Sequence, residues 1–244
     1  MEIAKAFDES MRKGFVEFAS EFASILEPVL KEVSNQKRIR MDNWTTGKRT
    51  VEESATFKQS LVDYYQRQGV VDSSRIRCMI LDIELPGSAV RGAHIWKSFT
   101  NGEGLEDFCL KRCDVSTARN GFLLANRIEE YFDRKFLCFL YDPLGDRGIF
   151  LKVLHPEKLA EEVAPGHSNL TFADIDGRPL LFPVVREDEP FRGPFRRILS
   201  FHARRSYLNA QYNAWLPFGV SYASYFQLSE NASINFLKTI NTLV

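Results

Sequence analysis

Between Arg75 and Leu154 the apolar residues come in short runs, and a turn signal closes almost every one. Arg75–Ile83, Ala89–Trp96, Phe122–Leu124, Phe136–Tyr141 and Ile149–Leu154 are separated by Pro86-Gly87, Asn101-Gly102, Asn120-Gly121 and Pro143-Leu144-Gly145. Runs of this length, rich in β-branched and aromatic residues and bounded by Gly, Pro and Asn, read as strands. Between them the pattern predicts short helices at 105–113, at 126–132 (with Asn126 as cap) and at 156–163. Small antiparallel strand pairs mixed with short helices make an α+β chain.

Flanking this core, the periodicity is helical. Ile3, Phe7, Met11, Phe15, Phe18, Phe22, Ile25, Leu26 and Val29 recur at three- and four-residue steps, up to a break near Pro28. Val51–Gln68 repeats the spacing with Phe57, Leu61 and Tyr65. Arg196–Asn209 predicts a third helix, entered through Pro194. The domain reading is a helical segment at 1–72, a core domain at 73–215 and an extension at 216–244. The phenylalanine face of the first helix is a candidate surface for a homo-oligomer.

The composition excludes several classes. The chain has 244 residues, 44% of them hydrophobic, with 14 Gly and 10 Pro, which is neither disordered nor collagen-like. No apolar stretch is long enough to span a bilayer, and acidic residues in the first ten argue against a secretory signal. An intracellular protein is the expectation. Cys78, Cys109, Cys113 and Cys138 lack the paired C-x₂-C knuckles of a structural zinc site, so small core residues are the default. The formal net charge is zero, with 32 basic and 32 acidic residues. That balance is a sum of opposed patches. Lys37–Arg49 has five basic residues against Asp42, and Pro190–Ala210 has five arginines and no acid. Residues 155–189 have eight acids against three basic residues. Local basic stripes of this kind suit a phosphate backbone.

One ordered set of residues carries chemistry. Cys78 is followed by Ala93-His94-Ile95, then Asn120-Gly121 before an apolar run, then a helix ending Phe132-Asp133. Leu170–Leu180 and Pro194–His202 continue the succession. This order resembles the HNH nuclease family, in the divergent branch common in fungal proteins, over about residues 75–210. The resemblance implies a ββα-metal core, in which two antiparallel strands and one helix clasp a divalent ion, and a hydrolase acting on DNA. It implies His94 as general base, a role that a near-neutral imidazole suits. It implies a catalytic part for Asn120, either as metal ligand or as the residue that orients the base. The helix position usually held by histidine is Glu129, with Asp133 one turn further on the same face. Carboxylates suit Mg²⁺ or Mn²⁺. Ala93 has no donor to offer. Arg91, Lys97, Arg119, Arg196 and Arg197 are candidates for nucleic-acid contact. The missing histidine leaves a second reading open, a catalytically degenerate module that binds nucleic acid or a protein partner. His202 reads as a packing histidine.

Overall fold

The computed structural model describes residues 50–70, 72–142, 148–183, 192–217, 220 and 222. The first predicted helix, the basic stretch before Thr50, the turn at 143–145 and most of the C-terminal extension lie outside these residues. Helix α1, Val51–Tyr65, begins at a capping box in which Thr50 Oγ1 accepts from Glu53 N–H and the Glu53 carboxylate accepts from Thr50 N–H. The reciprocal bonds satisfy two amides that a helix start leaves without partners. Phe57, Leu61, Val62 and Tyr65 form its buried face. The helix stops three residues before the predicted end, because Gln66 turns left-handed (φ 51°).

Three two-stranded antiparallel sheets follow among the described residues. Strands β1 (Arg75–Arg77) and β2 (Glu84–Pro86) pair through Ile76 and Leu85. The predicted strand 75–83 is cut short at Arg77. The chain turns there: Asp82 N–H donates to the Cys78 carbonyl, and Cys78 N–H to that of Ile83. Cys78, Met79, Ile80 and Leu81 are buried within this turn. A buried turn and a buried strand share the same apolar composition, so pattern alone does not separate them.

Strand β3, Val90–His94, pairs with β4, Gly121–Ala125, with His94 opposite Gly121 and Gly92 opposite Leu123. Helix α2, Asn126–Asp133, follows β4 directly. The two faces of this strand pair carry different helices. On one side Gly92 lets α1 approach, since a Cβ there would lie 3.0 Å from Leu61 Cδ1 and 3.2 Å from Phe57 Cδ1. From the other side Arg91 reaches Glu129 of α2. Side chains alternate along a strand, which is how adjacent residues address two helices. Strands β5 (Leu137–Asp142) and β6 (Gly148–Val153) form the third sheet. A four-residue helix α3 (Phe172–Ile175) lies beyond it, followed by the long helix α4 (Arg196–Tyr212).

Cys138, Leu140 and Phe150 of the third sheet pack with Ala203, Tyr207 and Ala210 of α4 in one buried cluster. Phe122, Phe132 and Phe139 join β4, α2 and β5, with ring centroids 4.9–6.2 Å apart. Burial of each such ring contributes about 2–3 kcal/mol.

Other predicted elements are also adjusted. Residues 105–113 form separate 3₁₀ turns at Leu105–Phe108 and, further on, Arg112–Ser116, broken where Cys109 adopts φ 57°. The predicted helix at 156–163 is a single 3₁₀ turn, Pro156–Lys158. Asn126 is the first helical residue of α2 and not its cap; its side chain donates to the Ser88 carbonyl instead. No helix among the described residues is long and apolar enough to cross a membrane.

Candidate active site

His94 ends strand β3 and is 9% exposed. Its ring stacks on Phe57 of α1, with centroids 3.6 Å apart and planes at 21°. Gly121, directly opposite, makes room for this stack. A Cβ there would fall 2.5 Å from the Ala93 carbonyl oxygen and 2.7 Å from Phe57 Cζ. The backbone at Gly121 is ordinary extended chain, so the requirement for glycine is one of space. Tyr65, about two turns further along α1, donates its hydroxyl to the Gly121 carbonyl at 3.1 Å and fixes the helix over the strand pair.

Asn120 is fully buried. Its Oδ1 accepts from Trp96 N–H at 2.8 Å, and its Nδ2 donates to the carbonyls of Trp96 and Val115, each at 2.8 Å. Ile95 N–H donates to the Asn120 carbonyl at 2.9 Å. These bonds end the strand at His94, two residues before the predicted limit, because both backbone groups of Trp96 are taken by the amide. Asn120 therefore sets the direction in which the chain leaves His94.

On the α2 face, Glu129 and Asp133 stand one turn apart. Arg91 Nη1 lies 3.4 Å from Glu129 Oε2, and Lys97 pairs with Asp133. Burial raises the Glu129 carboxyl above its ordinary range, and the Asp133 carboxylate adds to the rise, against the opposing pull of Arg91 and Lys97. Glu130 points elsewhere, pairing with Arg134 at 3.1 Å. The structure thus joins Glu129, Asp133, Arg91 and Lys97 in one cluster. It places His94 toward α1, on the other side of the strand pair, and engages Asn120 with backbone.

Among the described residues no three His, Cys, Asp or Glu side chains converge as a metal cage. The donors present are two neighbouring carboxylates, one of them with a raised pKa that a cation would relieve. That set fits Mg²⁺, which is commonly held by one or two carboxylates together with waters and substrate phosphate oxygens.

The remaining basic candidates have partners. Arg119 Nε donates to the Gly193 carbonyl at 3.3 Å, and its guanidinium lies over the Phe195 ring. Arg196 lies over the Tyr141 ring and donates to its hydroxyl at 2.9 Å. Arg197 donates to the Phe108 carbonyl at 3.1 Å. These contacts hold the start of α4 to neighbouring segments. His202 stacks on Phe132 at 4.0 Å, and burial holds its pKa well below the ordinary imidazole value. Cys78 and Cys138 are buried, and burial raises both thiols; Cys109 and Cys113 are exposed on separate turns.

Sequence reasoning missed Phe57. The available signal was the pair of strand glycines, Gly92 and Gly121. A glycine inside a strand often marks a close approach, and the phenylalanine spaced with Leu61 and Tyr65 is what approaches.

A sequence profile described as HNH endonuclease matches residues 78–140. The search of curated proteins and the search of solved structures returned no match. The matched span runs from Cys78 through β3, β4 and α2 into β5 and contains His94, Asn120, Glu129 and Asp133. Residues 78–140 of this α+β chain are an HNH-family domain, with β3, β4 and α2 in the places of a ββα-metal fold.

Proposed function

We propose that the chain is a metal-dependent endonuclease that hydrolyses phosphodiester bonds in DNA. The observation that supports this reading best is the cluster of Glu129, Asp133, Arg91 and Lys97, beside the strand that carries His94. HNH nucleases generally use divalent ions. Here Glu129 and Asp133 would hold Mg²⁺ or Mn²⁺. When bound, the ion supplies charge stabilisation at the phosphoryl and leaving oxygens.

The protein's own residues do the rest. Arg91 and Lys97 are partnered by carboxylates in the substrate-free chain. With a phosphate backbone at the cluster, the two cations turn to its oxygens, and the carboxylates they leave become available as donors. His94 is assigned the proton of the attacking water, a role that requires its ring to leave the Phe57 stack on the α1 side and reach the cluster's side of the strand pair. Asn120 keeps the end of β3 in register for that role, as a positioning residue.

Plasmid DNA incubated with the full chain and Mg²⁺ or Mn²⁺ tests the reading. Nicking is expected, with a loss of about 10²-fold or more in His94→Ala. Absent cleavage, or cleavage unchanged by that substitution, overturns it. Metal binding has its own readout. Mg²⁺ should raise the melting temperature of the wild-type chain and not of Glu129→Gln.

A second reading is favoured by the Phe57 ring lying over His94. It is a non-catalytic module that binds nucleic acid or a protein partner. It predicts DNA retention without cleavage, indifferent to His94→Ala.

A further inference from the structure

Next to the carboxylate cluster lies a cavity of about 400 Å³, within the usual range of roughly 300–1,000 Å³ for small-ligand clefts. It opens between the β2–β3 connection, the start of α2 and the loop around residues 163–167. Arg91 and Arg127 supply its cationic groups, His167 and the Glu130 carboxylate, which is paired with Arg134, also line it, and Leu85, Ala89 and Ala164 form its apolar wall. We propose that this cavity seats one sugar-phosphate unit of the nucleic-acid backbone, flanking the bond that the domain acts on. The proposal rests on the nucleic-acid reading above and extends it to a subsite.

Arg91 belongs to both places. It lines the cavity and faces Glu129, with its side chain 62% exposed and the carboxylate oxygen 3.4 Å away. Glu129 is the more buried partner, with 15% of its side chain exposed, but the Arg91 guanidinium stands in solvent, where the long 3.4 Å contact is screened and a phosphate can compete for it. Arg127 donates to Glu161 at 2.7 Å. Glu161 also accepts from Lys158 at 2.7 Å and from the Tyr131 hydroxyl. If Arg127 turns toward a phosphate, Glu161 keeps two donors and no bare carboxylate is left. The exchange therefore costs less than breaking an isolated pair.

The wall favours a sugar over a base. Among the described residues the His167 imidazole is the only aromatic ring lining the cavity, a smaller stacking platform than Phe, Tyr or Trp would give. Small aliphatic groups beside two guanidiniums match a sugar next to its phosphate. The uncapped first turn of α2 adds its partial positive charge, since Ala125 stands at the capping position with no side-chain oxygen. Contacts of this kind position a backbone without reading its sequence.

The test uses the full chain and a fluorescent duplex oligonucleotide, in EDTA so that nothing is cut. Anisotropy across a salt series gives affinity and its salt slope for the wild type, Arg127→Ala and Ala89→Trp. Circular dichroism confirms folding of each, and Ala89→Trp carries the test if the arginine variant does not fold. Each variant should weaken binding about fivefold or more, and Arg127→Ala should make the salt slope shallower by about one. Wild-type affinity and slope in the folded variants would overturn the subsite and leave the nuclease reading standing. A wild-type chain that binds no DNA would overturn both.

Discussion

Asn120 shows how a single buried amide can fix the course of the backbone. Its amide holds both backbone groups of Trp96 and the carbonyl of Val115 in a fully buried position. Asn120→Ala leaves three backbone groups without partners in an apolar surrounding. The expected loss is about 2–4 kcal/mol of stability, read by urea denaturation. Glu129 makes the complementary case for charge. Its pKa is raised on folding, so the folded chain holds that proton more tightly than the unfolded one. The associated stability is fully present below the unfolded value near 4.5 and is lost as pH rises through the folded value. Glu129→Gln keeps the uncharged form at every pH. Its melting temperature should exceed that of the wild type at pH 7, and the gap should close as the pH falls below 4.5. An equal gap at both pH values would refute the assignment.

At the scale of elements, the β3–β4 pair is held from two sides, and its glycines decide how closely. Gly121→Ala drives a methyl group into the Ala93 carbonyl and the Phe57 ring. It should cost about 2–3 kcal/mol by overpacking and disturb the stack on His94, visible as a change in the His94 imidazole NMR signals. The strands of this pair were legible from Asn120-Gly121 and the apolar run after it. The helix after β4 was legible too, because its apolar residues share one face. The stretch 105–113 was not. Its composition suits a helix, but the chain there wraps the Trp96–Phe108–Phe201 aromatic cluster, and Cys109 turns left-handed to do it. Such a turn is chosen by what it packs against, and a local window does not contain that information.

At the scale of the whole molecule, α4 is fastened to the HNH-family domain by His202, stacked on Phe132 of α2. Burial depresses the His202 pKa, and Lys97, Lys135 and Arg205 push it the same way. The unfolded chain therefore binds this proton more readily. Stability is fully present above about pH 6.5 and is lost as the pH falls from there toward the folded value. His202→Phe keeps a stacked ring without the titration. Its melting temperature should fall less than that of the wild type between pH 7.5 and 5. A parallel fall would show that other groups carry the acid sensitivity.

The order of short runs and turn signals, with Ala93-His94, Asn120-Gly121 and Phe132-Asp133 at their spacings, was enough to determine an α+β chain and an HNH-like core. Those features are local. Turn chemistry, strand alternation and helical spacing each act within a dozen residues, so the chain carries them openly. Only the tertiary structure decided which side chains meet. It laid Phe57 on His94, turned Asn120 toward backbone, and set Arg91 and Lys97 against Glu129 and Asp133 across 38 and 36 residues of chain. The zero net charge, spread as opposed patches along the sequence, becomes at this cluster two cations facing two anions. That pairing depends on α2 packing against one face of the β3–β4 pair, which no spacing within the sequence encodes.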